Sequence, residues 1–289
     1  MKQWLLAFRP KTLTAAVVPI MVGTTLVFAM GYPVHHWISV CALLASIFIQ
    51  IGTNLINDAM DFKKGADTTE RIGPSRITQQ GHASFRTVFI LGILFFGAAL
   101  AVGIPLAFQG GWPIVAIGLL SLLCGYAYTG GPYPLAYKGL GDLFVVMFFG
   151  IIAVSGLTYL HTGDWHIEAM MAGLQVGCLA TVLIAINNFR DAEGDAKVDK
   201  KTLAVRFGPR FVRTEITFLI LISFMINIYW WVEGFKIPAL LSLLALPMGV
   251  IVVKNILTQE PSPTYNKYLA QSALLHLLFG CLLSLGFAV

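Results

Sequence analysis

The stretch NLINDAMDFKKGAD, Asn54 to Asp67, holds the first carboxylates of the chain and follows a long run of apolar and small residues. Asn54, Asn57, Asp58 and Asp61 are spaced i, i+3, i+4, i+7, so on a helix they form one stripe. An apolar helix that ends in two amides and two carboxylates has a polar face with something to bind. A second stretch, NNFRDAEGDAKVDKKT from Asn187 to Thr202, repeats the pattern. There Asn187, Asn188, Asp191 and Asp195 fall on one helical face. The rest of the chain reads as the scaffold that brings two acidic faces together.

Hydrophobic residues make up 57% of the chain and charged residues 11%, against about 25% charged in soluble domains. Such a chain is an integral membrane protein, and its long unbroken apolar runs select helices over a closed barrel. Those runs fall at 12–30, 38–56, 86–108, 112–128, 141–160, 167–189, 212–232, 237–253 and 268–288. The expectation is one all-helical domain, 1–289, whose nine transmembrane helices enclose a central chamber. Cys41, Cys124, Cys178 and Cys281 are scattered singly in apolar runs, without metal-ligand or disulfide spacing.

Counting Lys and Arg by side supports that span count. With the amino terminus and every second connection on one side, all of the nineteen Lys and Arg but Lys236 fall there. The positive-inside rule then puts the amino terminus and both acidic stretches in the cytoplasm and the carboxyl terminus outside the inner membrane. The long connections expected there, 57–85 and 190–211, are the ones that begin with the stripes.

Carboxylates backed by Asn at a membrane helix end suit a hard divalent cation. Mg²⁺ is typically held by one or two carboxylates together with substrate phosphate oxygens. Two facing stripes could hold two such ions on one polyanion, with Arg71, Arg76, Lys138, Lys197 and Lys201 neutralising the remaining charge. A phosphorylated lipid, and a diphosphate best of all, fits acids, bases and apolar walls together. One such cluster alone reads equally well as a capped, solvated helix end. Two with the same geometry on the same side read as a site, because intramembrane acids are expensive. A cation-coupled transporter and a non-catalytic lipid-diphosphate binder are the readings from other classes.

Asn54-x-x-Asn57-Asp58-x-x-Asp61, together with Asp191-x-x-x-Asp195 and the Arg9–Thr12 segment RPKT, resembles the paired aspartate motifs of the UbiA-type intramembrane aromatic prenyltransferases. The resemblance covers the whole chain. It implies Mg²⁺-dependent transfer of an isoprenoid chain from its diphosphate to an aromatic acceptor, with Asn57, Asp58, Asp61, Asp191 and Asp195 holding the Mg²⁺–diphosphate. Phe62 stands where the hydroxybenzoate enzymes usually have Arg. GADTTERIGPSR (Gly65 to Arg76), YTGGPYPLAYKGLGD (Tyr128 to Asp142) and KKTLAVRFG (Lys200 to Gly208) are instead similar to the branch acting on 1,4-dihydroxy-2-naphthoate in menaquinone synthesis. One departure is Asp199, where that branch suggests Gly. The implied partners are a polyprenyl diphosphate, the dihydroxynaphthoate (4-hydroxybenzoate or another aromatic being the alternative) and membrane lipid, with no nucleic acid.

Weaker candidates complete the set. Lys138 could bind diphosphate or be a topology lysine. Asp142 opens a helix, and Tyr126, Tyr128, Tyr133 and Tyr137 could line the chamber. Thr69 and Glu70 could touch the acceptor. His35, His36, His161 and His166 are expected on the far side, away from both stripes.

Overall fold

The computed structural model describes residues 2–66, 72–74 and 76–289. Among these, regular structure is helical and no strand occurs. A short helix, Lys2–Ala7, and a 3-10 turn, Pro10–Thr12, lead into α1, Thr14–Ala29. There follow α2 (His36–Lys63), α3 (Phe85–Ala127), α4 (Gly141–Thr162), α5 (Ile167–Lys197), α6 (Leu203–Val232), α7 (Lys236–Thr258) and α8 (Tyr265–Ala288).

Seven of these, α2 to α8, are long and apolar enough to cross a bilayer; α1 makes an eighth when counted with the bent segment before it. The expected nine therefore do not appear as nine separate helices. The difference lies mostly in α3, which contains both apolar runs expected at 86–108 and 112–128. Inside it Gly111 has φ 64° and ψ −152°, so the axis breaks there. Glycine carries no Cβ and adopts that φ without steric cost. The expected connection at 109–111 is reduced to that one residue.

Helix ends differ from the sequence expectation in a way that matters for the site. α2 and α5 do not stop at 56 and 189 but run through both stripes, to Lys63 and Lys197. Each stripe is thus formed by the last turns of a long helix, and neither lies in a loop. α6 likewise starts at Leu203 instead of 212, with a break at Gly208 (φ 76°) ahead of Pro209.

α5 is the central helix: 78% of its most apolar stretch is buried, against 22% for the peripheral α3. Its approach to α4 is backbone to backbone. A Cβ on Gly150 would collide with the Gly173 carbonyl and stand 2.6 Å from Gly177 Cα. This small-residue contact coincides with a π-helical turn in α4 at Met147–Ile151. On its other side α5 grips α6 through Gln175, whose amide donates to the Ser223 carbonyl and to Asn227 Oδ1, each at 2.8 Å. Trp230 Nε1 donates to Gln175 Oε1 at 2.6 Å, which satisfies a buried amide at the bend of α6.

Candidate functional site

In α2 the whole stripe is buried: Asn54, Asn57, Asp58 and Asp61 are each 5% exposed or less. Burial of four polar side chains requires partners, and neighbouring segments supply them. Asn54 Nδ2 donates to the Phe8 carbonyl and to Thr12 Oγ1, each at 3.2 Å, which pins the RPKT turn to α2. Asn57 Oδ1 accepts from Thr129 Oγ1 at 2.7 Å. Asp58 accepts from the Ile77 amide at 3.3 Å and from the Thr78 hydroxyl. These residues tie the ends of α2 and α3 to the loop between them.

Asp61 faces inward. Its Oδ1 accepts from Tyr137 Oη at 3.0 Å, and Arg76 Nη2 lies 3.8 Å from its Oδ2. Beneath it, Lys64 Nζ sits 4.2 Å over the Tyr137 ring and donates to the Thr129 carbonyl at 2.6 Å. Burial holds the Lys64 ammonium below the usual lysine range, with Asp61 opposing and Lys200 adding to that effect.

The α5 stripe is arranged differently. Arg190 is buried, and its guanidinium grips Asp191 with two bonds, at 2.8 and 2.6 Å. It also donates to Asn187 Oδ1 and Asn266 Oδ1, each at 2.8 Å. Asn188 is buried beside this network. One turn further, Lys200 Nζ lies 3.2 Å from Asp195 Oδ1, while Asp195 Oδ2 is buried without a hydrogen-bond partner. Burial alone would lower the Lys200 ammonium, but Asp61, Asp195 and Asp191 together hold it above the ordinary lysine range. Lys200 Nζ also lies 5.8 Å from the ring of Tyr137, which holds Asp61, so this lysine stands between the two stripes.

Lys200 reaches inward because of the turn before it. Asp199 has φ 55°, a left-handed conformation in which the short Asp is among the better tolerated residues. The resemblance suggests Gly at this position, and the backbone has the φ that Gly would adopt freely. The Lys201 amide donates to the Tyr137 carbonyl at 3.1 Å, docking this turn on the 3-10 turn Ala136–Lys138.

Other residues expected at the site stand elsewhere. Lys138 is exposed, its ammonium 5.3 Å over the Tyr133 ring. Lys201 pairs with Asp199 at 3.0 Å on the surface, and Lys197 is exposed at the end of α5. Arg71, with Asp67, Thr69 and Glu70, lies outside the described residues. His35, His36, His161 and His166 gather at the opposite helix ends, where His161 Nδ1 accepts from the His35 amide at 3.2 Å. Three residues that prove important, Lys200, Lys64 and Arg190, are not distinguished by the sequence. Basic neighbours in KK and FRD runs carry no sign of which one points inward.

Below the acids an apolar cavity of about 300 Å³ runs between α1, α2, α3 and α4. Thr53 and Tyr128 line its acid end, and Leu106, Ile114 and Leu160 its far end. Burial, then the charges of Asp142, Asp61 and Asp195, keep the Tyr128 phenol protonated well above its usual range. Asp142, at the start of α4, is itself buried, with Oδ1 unpartnered.

The donor set fits a hard cation on a phosphate. Among the described residues no three His, Cys, Asp or Glu side chains form a ready metal cage. A Mg²⁺ ion that relies on one or two carboxylates plus ligand phosphate oxygens does not need one. The unpartnered Asp195 Oδ2 and the inward-facing Asp61 are the carboxylate oxygens such an ion would take.

Known proteins match this arrangement along the whole chain. 1,4-Dihydroxy-2-naphthoate octaprenyltransferase from Bacillus subtilis (strain 168) is 32% identical, over 97% of this chain and 90% of the relative. The protein of the same name from Haemophilus influenzae is 33% identical, over 100% of this chain and 96% of the relative. The structure of a UbiA homolog from Archaeoglobus fulgidus bound to DMAPP and Mg²⁺ shares the fold, with TM-score 0.66 and 18% identity over 98% of this chain and 99% of that one. An apo UbiA homolog from Aeropyrum pernix K1 superposes with TM-score 0.70 at 14% identity, over 94% of this chain and 96% of that one. The UbiA prenyltransferase family model matches residues 16–279. With its two acidic helix ends joined over an apolar cavity, this integral membrane chain belongs to the UbiA prenyltransferase family.

Proposed function

We propose that this chain transfers a polyprenyl group from its diphosphate to 1,4-dihydroxy-2-naphthoate, with loss of CO₂, in menaquinone synthesis. The observation that carries the reading is that Lys200 pairs with Asp195 at 3.2 Å and lies 5.8 Å from the ring of Tyr137, whose hydroxyl holds Asp61, so the acids of two separate helices meet beside one cation above the apolar cavity. The names of the full-length relatives support the acceptor. The Mg²⁺ and DMAPP named for the Archaeoglobus homolog support the donor and the metal.

In this reading the diphosphate lies between the stripes, and Lys200, Lys64 and Arg76 supply its positive surround. Asp61 and Asp195, with Asp58, Asp191 and Asn57 behind them, would hold two Mg²⁺ ions, which when bound would supply Lewis-acid stabilisation of the leaving diphosphate. Asn54, Asn187 and Asn188 hold the stripe helices in place. Lys138, Lys197 and Lys201 form the basic rim of the entrance.

The prenyl tail occupies the cavity, whose walls keep water from the allylic carbon as positive charge develops there. Fixed cations aimed at the departing oxygen lower the barrier without reorganising. The bond from C1 to oxygen breaks with its electron pair going to diphosphate, and the ring carbon bearing the carboxylate bonds to C1. The ring then expels CO₂, whose bonding pair restores the aromatic system, so charge and atoms balance without an added proton. Tyr128, neutral at the cavity mouth, is placed to donate to an acceptor oxygen.

The two arms of α3 count as separate spans in this reading, which with α1 makes nine. The amino terminus and the site then face the cytoplasm, and the carboxyl terminus lies outside. The test is transfer by purified protein from a labelled polyprenyl diphosphate with Mg²⁺, offering the naphthoate or 4-hydroxybenzoate. Product with hydroxybenzoate alone would keep the family and remove the acceptor.

A further inference from the structure

Glycines in this bundle fall into two kinds. At Gly92 a Cβ would stand 2.8 Å from Ile56 Cγ1, and at Gly110 it would overlap Ile114 Cγ1, so close packing explains both. At Gly103 and Gly118 a Cβ would meet nothing within 4 Å, and at Gly156 only Ile117 Cδ1 at 3.4 Å. All three line the apolar cavity, from different helical segments. None has a positive φ that would call for glycine. A helix-interior glycine without a packing or conformational reason is a net cost to the fold. The open space beside these three is the cavity itself.

We propose that Gly103, Gly118 and Gly156 set the length of prenyl chain this enzyme uses, by leaving the cavity wide enough for the tail to pass. This rests on the transferase reading above. Gly118 and Gly156 lie at one depth, since a Cβ on Gly156 would meet Ile117, the neighbour of Gly118. Gly125, packed on Thr53 near the acid end, is seven residues from Gly118, roughly 10 Å along the helix. A side chain added at Gly118 or at Gly156 therefore blocks the tail at the same distance from the diphosphate, from two different walls.

The experiment compares kcat/KM for geranyl, geranylgeranyl and octaprenyl diphosphates in Gly118→Leu, Gly156→Leu and Gly103→Leu proteins. Gly97→Leu is the control, since Gly97 is exposed and does not line this cavity. The octaprenyl-to-geranyl ratio is expected to fall at least tenfold in the cavity variants, with Gly118→Leu and Gly156→Leu cutting at the same chain length. Gly97→Leu should leave the ratio unchanged. As a readout independent of turnover, Gly103→Ala and Gly118→Ala should raise the melting temperature in detergent, because nothing there opposes a methyl group. Equal loss for all three donors in the folded Leu variants, or an unchanged ratio, overturns the proposal. Failure of the wild-type protein to transfer any chain overturns the transferase reading instead. Three independent positions keep the comparison alive if one variant misfolds.

Discussion

Tyr137 Oη donates to Asp61 Oδ1 at 3.0 Å while its ring carries the Lys64 ammonium 4.2 Å above it. One side chain thus orients a carboxylate and seats a cation. Tyr137→Phe keeps the ring and removes only the hydrogen bond. Bonds to charged groups contribute about 1.5–3 kcal/mol, so transfer should fall about 10- to 100-fold. Tyr137→Ala, which also unseats Lys64, should fall further. Steady-state kinetics on both variants checks the order, and equal activity of Phe and Tyr would remove the orienting role.

Arg190 is a structural anchor more than a rim charge. Its guanidinium is 1% exposed and makes a two-bond contact with Asp191 and single bonds to Asn187 and Asn266. Removing one partner of a buried pair leaves the other charge uncompensated, at a cost of about 3–5 kcal/mol. Arg190→Ala should therefore lower the unfolding temperature in detergent markedly. Arg190→Lys should not rescue it, because an ammonium cannot reproduce the planar fork. Full stability of the Lys variant would show that charge alone suffices.

Asp199 occupies a left-handed backbone conformation, φ 55°, and its carboxylate pairs with the exposed Lys201 at the surface. Asp199→Gly should keep activity and leave stability equal or higher by about 1 kcal/mol. Asp199→Val should lose both, since a β-branched residue resists that φ and Lys200 would turn away from Asp195. Thermal unfolding and transfer rates on the two variants read this directly. A Gly variant weaker than Val would contradict it.

The pH dependence follows from two lysines shifted in opposite directions. Burial lowers Lys64, while the three aspartates raise Lys200. As pH rises, Lys64 loses its proton first, below the ordinary lysine range, and Lys200 stays charged beyond it. The alkaline fall of kcat/KM should thus track Lys64. Lys64→Arg, charged at all these pH values, should move that limb to higher pH. A limb unmoved by the substitution would assign it to another group.

Much of this architecture is legible in the sequence because it rests on helical periodicity. The i, i+3, i+4, i+7 spacing of Asn54, Asn57, Asp58 and Asp61 marks one face, and the structure buries all four on it. What spacing cannot separate is the division of labour within the stripe. Asn54 and Asp58 bind the chain's own turns, whereas Asp61 is met by Tyr137 from a segment 76 residues away and by Arg76. Lys138 stands out as the lone lysine of its segment, yet on a 3-10 turn its neighbour Tyr137 faces the acids and Lys138 faces out. Lys200 is hidden among Lys197 and Lys201, and the left-handed turn at Asp199 selects it. The break at Gly111 is legible, since the connection read at 109–111 falls on it; what the sequence does not show is that one positive-φ glycine suffices, with no polar turn around it.

The most direct measurement is product formation by the purified wild-type protein and its Asp195→Asn and Asp61→Asn variants. Each would receive a labelled polyprenyl diphosphate, 1,4-dihydroxy-2-naphthoate and Mg²⁺. Prenylated naphthoquinol from the wild type, lost on adding EDTA and lost in both folded variants, is the predicted result. Wild-type turnover in either variant would contradict a site built on Asp61 and Asp195.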